Sequence, residues 1–377
     1  MTKKIAILTQ PLHVNFGGTL QAFALQKKIV ELGYEVQTIN YQWKKISDLK
    51  KIFSVAKHKI LSNKFAYPFF DKELRVLRSE HTRFITSNIN YSPILYSVKD
   101  LKKYFEENNF DAVVVGSDQV WRVAYSPRIE SFFLDFLTDN NKIRKVAYSA
   151  SFGIEEWQFE EQKTYQIKAL VSGFNAISVR EESAVDICRN YLDLEAEHTL
   201  DPTLLLEAQD YLRLFDLEGL SEKREGIFTY VLDKDLKKKN MIDAISKKMN
   251  KKIFMNQPKN NIKNSLFIKD FESYIYPSIE NWIKAFHEAD FVITDSFHGT
   301  VFSIIFNKPF ISIVNQERGA SRFDSLLGEL NLSDRMVNNI NDINDELINS
   351  RIDYESINNK IIELREKSLG YLKRSLI

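Results

Sequence analysis

Polar and charged side chains concentrate in residues 289–300, Ala-Asp-Phe-Val-Ile-Thr-Asp-Ser-Phe-His-Gly-Thr, directly after a short apolar run. His298 can act there as acid, base or anion ligand, because imidazole titrates near neutral pH. Ser296 beside it invites a hydrolase reading, but no Gly-x-Ser-x-Gly surrounds it, so no nucleophile elbow is expected. His298 also has a plainer reading as a buried capping residue. Further charges follow other apolar runs. Arg180, in Val-Arg-Glu-Glu, can grip phosphate or carboxylate through two donors, or pair with a neighbouring acid. Asp118, in Val-Gly-Ser-Asp-Gln-Val-Trp, can accept from sugar hydroxyls or cap a helix. Arg322 offers a second cation.

The chain has 12 glycines, and several fall where strand patterns turn into helix patterns: Gly17, Gly18, Gly116, Gly153 and Gly299. Such junctions let backbone N–H groups approach an anion at a helix N-terminus. Asn-Phe-Gly-Gly at residues 15–18 has neither the dinucleotide nor the phosphate-loop spacing, and it also reads as a tight turn with a helix cap. The histidines are scattered and suggest no metal site, so none is expected. Cys188, the single cysteine, excludes an intrachain disulfide and reads as a small core residue.

The elements that must position these residues alternate. A strand pattern over residues 4–9, a helix over 19–32 and a strand over 35–39 open a parallel β-α-β unit. The alternation resumes after residue 97 and continues to about residue 206, with helices expected over 181–191 and, later, over 300–306 and 322–330. Residues 42–90 interrupt it as a basic insertion, with seven lysines against one acid between Lys44 and Lys64. It reads as a solvated helical face or as a basic surface for phosphorylated glycans or headgroups. The expected fold class is α/β, with two Rossmann-like parallel-sheet domains facing a cleft. Residues 1–220 form the first, 221–350 the second, and a C-terminal helix in 351–377 packs back on the first.

A net charge of +1 gives no whole-chain attraction for nucleic acid, which is not expected as a partner. No apolar run approaches the roughly 20 residues of a membrane span, leaving peripheral association at most.

Taken in order, residues 5–25, 111–121, 148–153, 177–183, 200–206 and 291–309 resemble the polysaccharide pyruvyl transferase family. The resemblance implies a glycosyltransferase-B-like pair of domains and transfer of the enolpyruvyl carbons of phosphoenolpyruvate onto two sugar hydroxyls as a cyclic ketal. It implies no cofactor beyond that donor substrate, a sugar or lipid-linked glycan as acceptor, and a cytoplasmic location at the inner membrane face. The family's Arg-Leu-His-Gly turn falls on Ser296, Phe297, His298 and Gly299, and its upstream arginine on Arg180. Ser296 therefore departs from the pattern by one cation, a place Arg322 can take. Donor contacts are expected from Arg180, Ser296, Phe297, Gly299, Thr300 and Arg322, with His298 catalytic; Asn15, Gly17, Gly18 and Asp118 are expected to face the acceptor. A nucleotide-sugar glycosyltransferase, with Asp270, Glu272 and Tyr274 near the nucleotide, and a non-catalytic glycan-binding protein are the alternatives.

Overall fold

Runs such as Lys-Ile-Ala-Ile-Leu and Ala-Val-Val-Val are apolar on both faces, which suits strands of a parallel sheet covered on both sides. The computed structural model places them so; it describes residues 2–47, 49–51, 53, 71–215, 224–233, 235–259, 271–314 and 319–377. The first sheet contains β1 (Lys4–Leu8), β2 (Glu35–Thr38), β3 (Ala112–Val115), β4 (Arg144–Ala150), β5 (Ala176–Val179) and β6 (Glu197–His198) in the order β2-β1-β3-β4-β5-β6. The second contains β7 (Ile227–Tyr230), β8 (Ile253–Met255), β9 (Phe291–Thr294), β10 (Phe310–Ile313) and β11 (Met336–Val337) in the order β11-β10-β9-β7-β8. Every pairing is parallel. Strand order reverses between β1 and β3 and again between β7 and β9, the places where open α/β sheets hold ligands at their carboxyl ends.

The helices of the first half are α1 (Phe16–Glu31), α2 (Asp71–Leu77), α3 (Ser79–Asn88), α4 (Val98–Asn108), α5 (Glu161–Val171), α6 (Glu182–Leu192) and α7 (Ala208–Leu212). Those of the second half are α8 (Leu236–Met249), α9 (Ile279–Glu288), α10 (Phe297–Ile305), α11 (Ser321–Glu329), α12 (Asp345–Asn349) and α13 (Tyr354–Leu376). Helix α1 is buried almost all round. Its Leu25 and Ile29 pack under the first sheet, while Phe16, Leu20 and Phe23 share a cluster with Trp282 and Phe286 of α9. No helix among the described residues is long and apolar enough to cross a membrane.

The stretch 42–90 differs from a solvated surface insertion over its last part. Phe84 and Ile85 of α3, with Ile89, enter the same apolar cluster as α1 and α9, because three apolar residues at helical spacing are enough to dock an otherwise polar helix. Much of its lysine-rich part, and the expected domain boundary near residue 220, lie outside the described residues. Cys188 is buried in the first-domain core, where burial pushes its thiol up to about 12.

Helix α13 spans both lobes. Ile357 and Ile361 join the cluster of α9 and α10, whereas Tyr371, Leu372 and Leu376 pack with Ile5, Ile7 and Val146 of the first sheet. Its polar groups are equally engaged. Tyr371 Oη donates to Ala147 O at 2.8 Å, Ser368 Oγ accepts from Leu200 N at 3.0 Å, and Arg365 Nε donates to Leu204 O at 2.9 Å.

His81 of α3 gives this interface a pH dependence. Its ring meets Phe16 edge-on at 4.6 Å and Tyr276 at 5.9 Å, and neither ring nitrogen has a hydrogen-bond partner. Burial pushes its pKa down to about 4, and His13 falls to about 4 through burial and then the Arg78 charge. The unfolded chain therefore takes up protons at a pH where the folded one refuses them. Stability should fall as the pH drops from about 6.5 towards 4, by roughly 1.4 kcal/mol per pH unit for each histidine. Denaturation of wild type and His81→Phe at several pH values checks this, and the variant should lose part of the slope. An identical slope would show that His81 is not the group responsible.

Candidate functional site in the interdomain cleft

The carboxyl ends of β3, β5 and β6 bring three carboxylates around one guanidinium. Arg180 follows β5 directly, and its side chain is 1% exposed. Nη1 donates to Asp201 Oδ2 at 2.8 Å, Nη2 lies 3.5 Å from Asp118 Oδ1, and Nε lies 4.0 Å from Glu181 Oε2. Nε and Nη2 make no hydrogen bond.

Each carboxylate is fixed independently of the arginine. Asp118, at φ +67°, accepts from Gln119 N at 2.9 Å. Glu181 Oε1 accepts from Ser151 Oγ at 2.8 Å, Phe152 N at 3.0 Å and Gly153 N at 3.1 Å. Asp201 Oδ1 accepts from Thr203 N at 3.0 Å and Thr203 Oγ1 at 2.6 Å. Burial opposes the charge on Asp201, but His298, Arg180 and Thr203 outweigh it and hold its carboxyl far below the usual range. Arg180 likewise stays cationic: burial is opposed by Asp201, Asp118 and Glu181, with a net upward shift.

The second lobe closes this cluster with the first turn of α10. Ser296 caps the helix, accepting from Gly299 N at 3.4 Å, so the helix starts at Phe297, three residues before the expected Thr300. Both arginines approach the Phe297 ring, the Arg180 Cζ at 5.0 Å and the Arg322 Cζ at 5.3 Å. His298 Nε2 sits 3.5 Å from Asp201 Oδ2. Arg322 has its pKa lowered to about 10, by burial first and by Arg180 next, which leaves it charged at neutral pH.

Glycines let the lobes touch. A Cβ on Gly17 would overlap the His298 ring and come within 2.5 Å of the His298 Cβ. Gly319, at φ +96°, similarly brings its backbone against the Gly153 carbonyl.

The structure thus gathers Arg180, Phe297, His298, Arg322, Asp118, Gly17 and Gly18, the last with the Asp118 carboxylate 3.4 Å from where its Cβ would be. It separates others from the expected roles. Ser296 Oγ is engaged as the cap rather than held open for an anion. Gly299 packs against the Thr294 side chain inside the second lobe. Thr300 is fully buried; its N–H donates to Ser296 O at 3.0 Å and its hydroxyl pairs with Ser312 Oγ at 2.6 Å. The early helix start explains all three, since it turns these groups into the helix and its sheet. Asn15 is exposed at the rim and caps α1, accepting from Gly18 N at 3.1 Å. Asp295, in the same polar segment, is consumed by Leu232 N, Asp233 N and Lys238 Nζ within its own lobe. Tyr274 is buried against Leu77, and Asp270 lies outside the described residues.

Asp201 and Glu181 are the residues the sequence reading passed over. Their signals were present: Asp201 precedes Pro202 and Thr203, an arrangement in which an aspartate bonds its own turn, and Glu181 directly follows Arg180.

The cavity touching Arg180, Asp201 and Phe297 holds about 60 Å³, enough for only a few waters and far below the roughly 300 Å³ of small ligand sites. That cavity is too small for a molecule the size of phosphoenolpyruvate.

The family model for polysaccharide pyruvyl transferase matches residues 15–317, a span that includes every residue of the cluster except Arg322. The chain belongs to that family. As a polysaccharide pyruvyl transferase family member it also has the expected glycosyltransferase-B-like architecture. Arabidopsis thaliana UGT89C1 complexed with UDP-L-rhamnose aligns over 100% of this chain and 98% of its own, at 11% identity and a TM-score of 0.53. The S. aureus MnaA–UDP complex aligns over 99% of this chain and 96% of its own, at 11% identity and a TM-score of 0.52. At such identities the likeness concerns the fold alone. No curated protein matches the sequence.

Proposed function

We propose that this family member transfers the enolpyruvyl carbons of phosphoenolpyruvate to two hydroxyls of a sugar as a cyclic ketal. The observation that supports the reading most is the arrangement around Phe297: two guanidinium groups on one ring, beside an imidazole whose Nε2 lies 3.5 Å from a buried carboxylate. Phosphoenolpyruvate carries a carboxylate and a phosphate on one carbon, and two arginines are suited to such a pair. Arg322 supplies the cation that Ser296 does not.

When the lobes part, Arg180 exchanges some of its carboxylate contacts for the donor, and Asp201, 3.5 Å from His298 Nε2, orients the imidazole. His298 delivers a proton to the methylene carbon, which becomes methyl, and the first sugar hydroxyl adds to the neighbouring carbon. The C–O bond to phosphate then breaks, and the second hydroxyl adds at the same carbon and closes the ring. Of the two hydroxyl protons, one replaces the proton spent on the methylene and the other leaves with phosphate, so the reaction consumes no redox equivalent or further cofactor. The acceptor would be a sugar or lipid-linked glycan, met in the cytoplasm at the inner membrane face.

Isothermal titration with phosphoenolpyruvate, and with UDP-sugars in parallel, tests the donor. Turnover in deuterated water tests the chemistry, since the ketal methyl should carry deuterium and phosphate should appear in equal amount. Binding of UDP-sugars in preference to phosphoenolpyruvate would overturn the reading. His298→Gln should retain donor binding while transfer falls by a factor of about 100 to 10,000, the range ascribed to a general acid.

A further inference from the structure

The loop after β1 carries a second group of side chains that the donor cluster does not use. Four residues before Gly17 lies His13, whose ring stacks with Trp43 at 6.2 Å and an interplanar angle of 25°. Trp43 nevertheless remains 47% exposed, whereas Trp121 and Trp282 are buried. It stands beyond the carboxyl end of β2, on the same rim as Asn15. A half-exposed indole already packed on one side is suited to the apolar face of a pyranose, for which aromatic rings are common partners.

Arg78 adds a charge to this rim. It is half-buried just before α3, whose His81, three residues on, meets Phe16, three residues after His13, at 4.6 Å; the preceding Leu77 O accepts from Tyr276 N of the second lobe at 3.1 Å. Lys45 and Lys51 both pair with Asp71, but Arg78 has neither an ion pair nor a side-chain hydrogen bond among the described residues. A partly desolvated guanidinium without a carboxylate is poised for an anion. His13 stays neutral above about pH 4 and contributes a ring N–H and a lone pair rather than a second charge.

We propose that His13, Trp43 and Arg78 form an acceptor subsite for a sugar bearing an anionic group, with Trp43 under the pyranose and Arg78 on the phosphate or carboxylate. The proposal deepens the pyruvyl transfer reading and rests on it for the word acceptor. Three residues separate His13 from Gly17, so the His13 backbone lies at most about 14 Å from the Gly17 backbone that packs on His298. An extended acceptor can therefore reach both places, with its anionic group outside the ring that receives pyruvate.

The test titrates the full chain with N-acetylglucosamine 1-phosphate, glucuronate, free N-acetylglucosamine and inorganic phosphate. The first two arms distinguish phosphate from carboxylate as the anion. At least one charged sugar should bind about tenfold more tightly than the neutral sugar and than inorganic phosphate. Arg78→Gln should erase the preference for charge, Arg78→Lys should restore part of it, and Trp43→Ala should weaken charged and neutral sugars alike. All variants should bind phosphoenolpyruvate as wild type does. Equal affinity for charged and neutral sugars, phosphate binding as tightly as its sugar ester, or no binding of any probe would overturn the subsite. Loss of phosphoenolpyruvate binding in wild type, with the sugar pattern intact, would instead remove the donor reading and leave the subsite standing.

Discussion

Arg180→Ala should cost about 3–5 kcal/mol of stability and abolish transfer, because it removes the cation from a site where the charges are buried and paired. Arg180 and Asp201 are each 1% exposed at the side chain, and Asp118 and Glu181 face the same guanidinium. Without the arginine, three anchored carboxylates would remain close together in low dielectric, and their protonation would become favourable at a higher pH. The deficit relative to wild type should therefore be largest near neutral pH and shrink as the pH falls towards about 4. Urea denaturation of both proteins across that range reads the effect. A deficit below about 1 kcal/mol, or one independent of pH, would mean that the carboxylates are not held by this charge. Arg180→Ala is for the same reason a poor probe of donor affinity.

Gly17→Ala should lower the melting temperature and reduce transfer on the order of 100-fold, the penalty associated with displacing a reacting group by about 1 Å. Ordinarily the change would stabilise a helix by about 0.5–1 kcal/mol. Here the added methyl would overlap the His298 ring near its attachment to the backbone, so rotating the side chain cannot clear it and α1 and α10 must move apart. Gly18→Ala is the internal comparison. Its new Cβ would meet the Asn15 amide at 2.9 Å and Asp118 at 3.4 Å, with a movable side chain as the nearer contact. Differential scanning fluorimetry and a phosphate-release assay on both variants decide the matter; a Gly17→Ala protein that is more stable and fully active would exclude His298 contact with α1 as a requirement.

The strand alternation was legible because both sheets are covered on two sides, which makes β1, β3 and β9 continuous apolar runs, the last two followed within three residues by an aspartate. Arg180 and His298 could be located for the same reason: each comes within a few residues of such a run. The start of α10 was not legible. Phe297, His298 and Gly299 are indifferent helix formers, and their helical conformation depends on the Ser296 cap and on Gly299 packing against Thr294. The docking of α3 was hidden by composition, since its polar residues and the lysines before it outweigh Phe84, Ile85 and Ile89. Asp201 was obscured because a carboxylate in a proline turn looks complete in itself, and only the folded chain brings Arg180 and His298 to its other oxygen.

Helix α13 has a mechanical consequence for how a donor reaches the cluster. Ile357 and Ile361 are buried in one lobe while Tyr371, Leu372 and Leu376 are buried in the other, so a single rod is clamped at both ends. Pulling the lobes straight apart would drag apolar side chains out of one clamp, at roughly 1.5–3 kcal/mol for each. Twisting them about the rod leaves both clamps filled. The molecule is thus built to turn on an axle rather than to gape, and what the turn must overcome is the hold of Arg180 on Phe297 and the packing of α1 and α3 against α9.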